Sequence, residues 1–216
     1  MPNLFIIILV IIALFLFYKI KTVADGFLRV RNFYKYSFSV YKRFVDTNRY
    51  HMVEHTLKTE DGYNITLVHL YSKEKRNLNK KPIFMQHGLG SCAGSWLIGG
   101  PQNAPALILA DQGHDIYLGN NRGTAFSCTH EKFRPSQKKF WDFSFEDFKY
   151  DLKAFFEFVV QKTQKKIYYV SLSQGSTQML AALADEDEKE LSEYIQDNLE
   201  KFYCFAPVVY SVRWFT

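Results

Sequence analysis

The sequence predicts an α/β fold, a mostly parallel sheet with helices on both faces, from three observations. From about residue 54 onward, strand-like and helix-like segments alternate. The strand candidates are short apolar runs rich in β-branched and aromatic residues, as strands buried on both faces are. Glycine-containing turns fall directly after two of them, at His87-Gly88-Leu89-Gly90 and across Ser171 to Gly175. At 216 residues, 47% hydrophobic and 23% charged, the chain suits one globular domain with apolar mass for a core.

The elements follow in order. EHTLKT, the turn Glu60-Asp61-Gly62 and NITLVHLY predict a β-hairpin. Lys73 to Lys81, basic but asparagine-rich and followed by Pro82, predicts a solvated loop. PIFMQ, stopping at HGLG, predicts a buried strand. APALILADQ has helical spacing and ends at Gly113, ahead of the strand DIYLG. Ser144 is placed to cap a helix on which Phe148, Leu152, Phe155, Phe156 and Val159 share one face. KIYYVSL predicts a strand, Gln174 to Ala184 a helix, and DEDEKELSEYIQDNLEK an amphipathic helix. FYCFAPVVY predicts one more buried strand.

Leu4 to Tyr18 (LFIIILVIIALFLFY) is uninterrupted by charge. Its length fits a signal-peptide core, whereas Lys19 and Lys21 after it fit a signal anchor. Residues 1–24 are therefore read as a cleaved signal peptide or a retained anchor, 25–52 as a linker and 53–216 as the folded domain. Either reading of the leader sends the chain into the secretory pathway. The net charge is +5, or +3 without the two leader lysines, too mild to predict nucleic-acid binding. Cys92, Cys128 and Cys204 build neither a disulfide scaffold nor a zinc site. Asn64-Ile-Thr66 is a glycosylation sequon at the start of a strand.

Ser171-Leu172-Ser173-Gln174-Gly175 departs by one residue from Gly-x-Ser-x-Gly, in which a strand bends sharply into a helix and exposes a strained serine. The bland reading is a helix cap, the usual job of a serine at that place. A strand before and a helix after favour the elbow, with Ser173 as nucleophile. Gly175 then keeps the helix close to the strand. Acyl transfer develops negative charge on a carbonyl oxygen, which backbone amides stabilise. The amides of Leu89, in HGLG, and of Gln174 are the candidate donors, and His87 is read as a brace for that loop.

FMQHGLGSCAGSWL, GHDIYLGNNRGTAFSCTH, KKFWDFSFEDFKYDL, IYYVSLSQGSTQML and FAPV, in that order, resemble signatures of the acid lipase family of gastric and lysosomal lipases. HTLKTEDGYNITL is similar to the family's lipase-associated N-terminal region, about 53–110 here. The resemblance implies an α/β-hydrolase fold, a secreted or lysosomal setting, and cleavage of triacylglycerols or sterol esters at a membrane or lipid-droplet surface. It places the nucleophile at Ser173 and the oxyanion donors at Leu89 and Gln174, with no cofactor or metal. Anchoring through residues 4–18 is the alternative setting, and oligomeric state stays open.

Two departures qualify it. Ser171-Leu172 stands where the family usually has Gly-His. All six histidines, His51, His55, His69, His87, His114 and His130, precede Ser173, although the hydrolase order is serine, acid, histidine. Asp185, Asp187 and Asp197 follow it as carboxylates. The expectation is a partial α/β-hydrolase fold lacking the last strands and most of the lid. Two functions stay open: a serine ester hydrolase, or an impaired homologue that binds lipid or membrane without turnover. His51-Met52-Val53-Glu54-His55 matches an inverted zinc-peptidase pattern, but that chemistry needs a helix where the sequence predicts a strand. Asp111 and Asp115 are read as turn and cap residues, and the aromatics of Phe33 to Tyr50 and Phe140 to Phe148 as packing.

Overall fold

The computed structural model describes residues 45–209. The leader, and with it the signal-or-anchor question, lies outside the described residues, as do most of the linker and Tyr210 to Thr216. Among the described residues no helix is long and apolar enough to cross a membrane.

Among the described residues seven strands form one sheet: β1 (Tyr50–Lys58), β2 (Tyr63–Ser72), β3 (Ile83–Gln86), β4 (Ile116–Asn120), β5 (Thr129–His130), β6 (Ile167–Leu172) and β7 (Leu199–Phe205). The spatial order is β1-β2-β4-β3-β6-β7, with β5 paired to β2. The predicted hairpin is β1 with β2, and it joins β4 antiparallel. From β4 through β3 and β6 to β7 every pairing is parallel. Four helices serve as connections: α1 (Pro105–Asp111), α2 (Phe148–Thr163), α3 (Gln174–Leu183) and α4 (Lys189–Asn198). Parallel neighbours require such crossovers, because the chain must return to the starting end of the sheet.

Successive strand residues point to opposite faces, so the central strands feed two cores. Phe84, Tyr117 and Tyr169 enter the layer under α2, α3 and α4, where they meet Leu152, Phe155, Phe156, Val159, Met179 and Ile195. Ile83, Met85, Ile116 and Leu118 enter the layer under α1, against Ala106, Leu107 and Ala110. Each fully buried Phe or Leu contributes about 1.5–3 kcal/mol. Strands with apolar residues on both faces therefore sit in the middle, as the unbroken apolar runs predict.

Four sequence readings change in detail. Helix α2 begins at Phe148 with Asp147 at its cap position, not at Ser144. Ser144 lies in the preceding turn, where its amide and hydroxyl both donate to the Asp147 carboxylate at 2.6 and 3.2 Å. The shared face is as expected, with Phe148, Leu152, Phe155, Phe156 and Val159 all buried. β7 starts at Leu199 and is largely exposed rather than buried, with Tyr203 45% and Phe205 55% accessible, because it is the sheet's edge among the described residues. Asp111 and Asp115 do not act as caps: Asp111 accepts from Arg49 and Tyr50, and Asp115 from His69 and Arg76. The Phe140–Phe148 aromatics divide, with Phe140 and Phe148 buried and Trp141 and Phe145 about half exposed.

Candidate active site

Ser173 is the single residue between the end of β6 and the first residue of α3. Its backbone sits at φ 51°, ψ −118°, a conformation that costs an L-residue of order 1–3 kcal/mol. The amide donates to the Phe205 carbonyl of β7 at 2.9 Å, which holds the turn against the neighbouring strand. The hydroxyl caps nothing: no side-chain bond runs from Ser173 to the first turn of α3. The cap reading is thereby set aside, since a capping serine has an extended backbone and bonds the second or third helical amide.

The HGLG loop touches this turn. A Cβ added at Gly88 would lie 3.1 Å from the Ser173 Cβ and 3.2 Å from the Leu172 carbonyl oxygen. One added at Gly175 would lie 2.7 and 2.8 Å from the carbonyl oxygens of Gln86 and His87. Gly175 therefore keeps α3 close not to β6, the strand before it, but to the end of β3, where the HGLG loop starts. Leu89 lies in the turn closed by the Ser91 amide and the Gly88 carbonyl, and the residue is 79% exposed. Its amide has no hydrogen-bond partner among the described residues. Gln174 opens α3, so its amide has no intrahelical partner either. Two unpaired amides thus flank the Ser173 turn, one on each of the segments that the glycines bring together.

Ser171, the departure from glycine, is fully buried. Its Oγ is 2.8 Å from the Ser176 Oγ on the first turn of α3, so a hydroxyl pair bridges the strand and the helix across the elbow. Tyr169 adds a second tie by donating from its hydroxyl to the Gly175 carbonyl at 2.8 Å. Leu172 is 38% exposed and lines an apolar cleft of about 720 Å³ with Val170, Tyr203, Phe205 and Trp96.

His87 is buried, and both ring nitrogens are engaged. The Asn121 amide donates to Nε2 at 3.2 Å, so the ring proton is on Nδ1, which donates to the Gly88 carbonyl at 2.8 Å. Burial lowers its pKa to about 4, against the pull of that carbonyl. A neutral imidazole with both nitrogens committed is a strut and cannot serve as a base for Ser173. This is the bracing role read from its place in the chain.

One part of the site has no role in the sequence reading. Gly119-Asn120-Asn121-Arg122-Gly123 spans the end of β4 and the turn after it, and three of its polar side chains are buried there. Asn120 accepts from the Ala93 amide at 2.9 Å, and Asn121 donates to Gln178 of α3 at 2.7 Å. The Arg122 side chain is fully buried, bonds the equally buried Asp151 of α2 at 2.8 Å and reaches Asp61 of the hairpin turn at 2.5 Å. The Asp151 carboxylate also accepts the Arg122 amide at 2.7 Å. A polar run at the end of an apolar strand is the signal in the sequence. These contacts tie the hairpin, β4, α2 and α3 together behind the elbow.

Asn64 is half-buried in β2, with its side-chain amide 3.3 Å from the Thr129 hydroxyl. Thr66 of the same sequon is buried and donates to the Phe126 carbonyl at 2.5 Å. No disulfide joins Cys92, Cys128 and Cys204 among the described residues.

A parallel sheet block with helices on both faces, a strained serine between strand and helix, and a glycine loop packed on it define the α/β hydrolases. The model described as "alpha/beta hydrolase fold" matches residues 81–195, and that of the "partial alpha/beta-hydrolase lipase region" matches 42–100. Among solved structures, brefeldin A esterase, a bacterial homologue of human hormone sensitive lipase, superposes with a TM-score of 0.51 at 14% identity, covering 83% of this chain and 48% of that one. Esterase Est22 does so with a TM-score of 0.50 at 17% identity, over 77% and 46%. In sequence the chain is 41% identical over 160 residues to gastric triacylglycerol lipase of Mus musculus and 38% identical over 161 to lipase member K of Homo sapiens. It is 37% identical over 161 residues to lysosomal acid lipase/cholesteryl ester hydrolase of Macaca fascicularis. Within the α/β hydrolases, the chain belongs to the acid lipase family of gastric and lysosomal lipases. Each alignment takes in 72% of this chain, and the chain spans 39% of the length of these relatives.

Proposed function

We propose that this chain carries the nucleophile and oxyanion portion of a lipase site that cleaves carboxylic esters of lipids, triacylglycerols or sterol esters, in lipid catabolism. Ser173 attacks the ester carbonyl, and the amides of Leu89 and Gln174 receive the oxyanion. Gly88 and Gly175 let those two segments approach, and no cofactor takes part. The observation that carries the proposal is the Ser173 backbone, strained and with a hydroxyl that bonds nothing in its own helix, which a structural serine has no reason to adopt. The names of the relatives supply the substrate class. The gastric and lysosomal names of the same relatives support a secretory-pathway setting, to which we add a lipid surface as partner and glycosylation of Asn64 before the chain folds.

A serine hydroxyl needs a base to become a nucleophile at neutral pH. Among the described residues no histidine bonds Ser173, so we assign the base and its acid to family sequence that the matched region does not cover. A fluorophosphonate probe applied to the 216-residue chain, and to the same chain extended by any further coding sequence, tests this. Labelling of wild type but not of Ser173→Ala supports the assignment. Folded protein that takes up no probe at Ser173 in either form overturns it.

A further inference from the structure

The parallel strands begin at the end of the sheet opposite Ser173, and a second cavity lies there. It holds about 240 Å³ between the loop that follows β2, the start of β4 and the C-terminal end of α2. Arg76, Lys80, Asp115, Tyr117, Lys162 and Lys165 line it, four bases and one acid. The single carboxylate is already engaged, since Asp115 accepts two bonds from Arg76 at 2.7 and 2.6 Å and one from His69 at 3.2 Å. Lys80 donates to the Gln112 carbonyl at 2.6 Å, and Lys165 to the Leu78 and Lys80 carbonyls. Carbonyl partners fix the ammonium groups in place and leave their charge uncancelled. The loop read from sequence as merely solvated therefore brings its cations against Lys162 of α2 and Lys165 just beyond that helix.

Lysines at a helix C-terminus have a bland explanation in the helix dipole. Tyr117 does not share it. The residue is entirely buried, its ring stacks on His69 at 4.4 Å, and its hydroxyl has no partner among the described residues. An unpartnered buried hydroxyl costs stability, and phenylalanine would fill the same space without that cost. A spare donor on a buried residue that lines a cavity walled by uncancelled ammonium groups fits an anionic acceptor. A phosphate monoester carries nearly two charges and three acceptor oxygens, enough to engage several donors at once. We propose that this cavity binds a phosphate monoester group, with the Tyr117 hydroxyl donating to a phosphate oxygen and Lys162 and Lys165 supplying the charge.

Thermal unfolding of the full chain in inorganic phosphate, against chloride at equal ionic strength, is the first test. Saturable stabilisation by phosphate alone is expected. Tyr117→Phe, which keeps the ring and its packing, should fold normally and bind phosphate roughly tenfold more weakly, as loss of a hydrogen bond to a charged group predicts. Lys162→Gln should weaken binding and flatten its dependence on salt. Stabilisation no greater than in chloride, or equal binding by wild type and Tyr117→Phe, overturns the proposal. Two further probes identify the source of the phosphate. Sedimentation with vesicles of phosphatidic acid in phosphatidylcholine, reduced by inorganic phosphate and by Tyr117→Phe, assigns a lipid headgroup. Binding of glycerol 1-phosphate, with vesicle sedimentation unchanged by Tyr117→Phe, assigns a soluble ester.

Discussion

Replacing Ser173 by glycine and, separately, by alanine isolates the strain at the elbow. At φ 51°, ψ −118° a side chain clashes with its own backbone, whereas glycine enters that region freely. The cost for an L-residue is about 1–3 kcal/mol. Alanine retains the strain and loses no hydrogen bond within α3, because the Ser173 hydroxyl makes none there. Glycine relieves the strain but gives up about 0.5–1 kcal/mol in backbone entropy. The net expectation is a glycine variant more stable than the alanine variant by about 1 kcal/mol, the reverse of the order at an ordinary helical position. For a domain of this size that is about 2–4 °C in Tm. Urea titration of both variants, with equal slopes so that midpoints compare directly, measures the difference. An alanine variant as stable as the glycine variant, or more so, would refute the claim that strain is stored at this residue.

Three further outcomes follow from the surrounding contacts. Asp151→Ala leaves the fully buried Arg122 guanidinium short of its buried partner and should cost about 3–5 kcal/mol, measured by chemical denaturation. Ser171→Ala and Ser176→Ala should each cost about 1 kcal/mol, and the double variant little more than either, as one shared bond requires. His87 has a folded pKa of about 4, below its unfolded value of 6.5, so its contribution is fully present above pH 6.5 and is lost as the pH falls through 4. Wild type should thus lose about 3 kcal/mol more than His87→Gln between those limits, read from unfolding free energies across the pH range; parallel pH curves would contradict the buried, neutral strut.

The local elements were legible in the sequence because their signals are local. Apolar run length marks β3, β4 and β6, and helical spacing marks the buried face of α2. A strand running through Ser173 directly into a helix defines the elbow in a dozen consecutive residues, so the candidate nucleophile is legible without the fold. Contacts between distant segments leave no such trace. The Ser171 and Ser176 hydroxyls meet only because the elbow folds back on itself, and serine can replace the usual glycine there because its hydroxyl gains a partner. The Arg122, Asp151 and Asp61 cluster joins residues 29 and 61 positions apart, which no periodicity records.

By itself, then, the sequence determined the order of strands and helices, the family, and the position of Ser173, since propensity, periodicity and motif all act over a few residues. Only the tertiary structure decided that Gly175 faces the carbonyls of Gln86 and His87, which partners occupy the two ring nitrogens of His87, and that β7 stands exposed at the edge. These depend on which backbones the sheet brings within van der Waals distance, and strand order is set by the whole core rather than by any one segment.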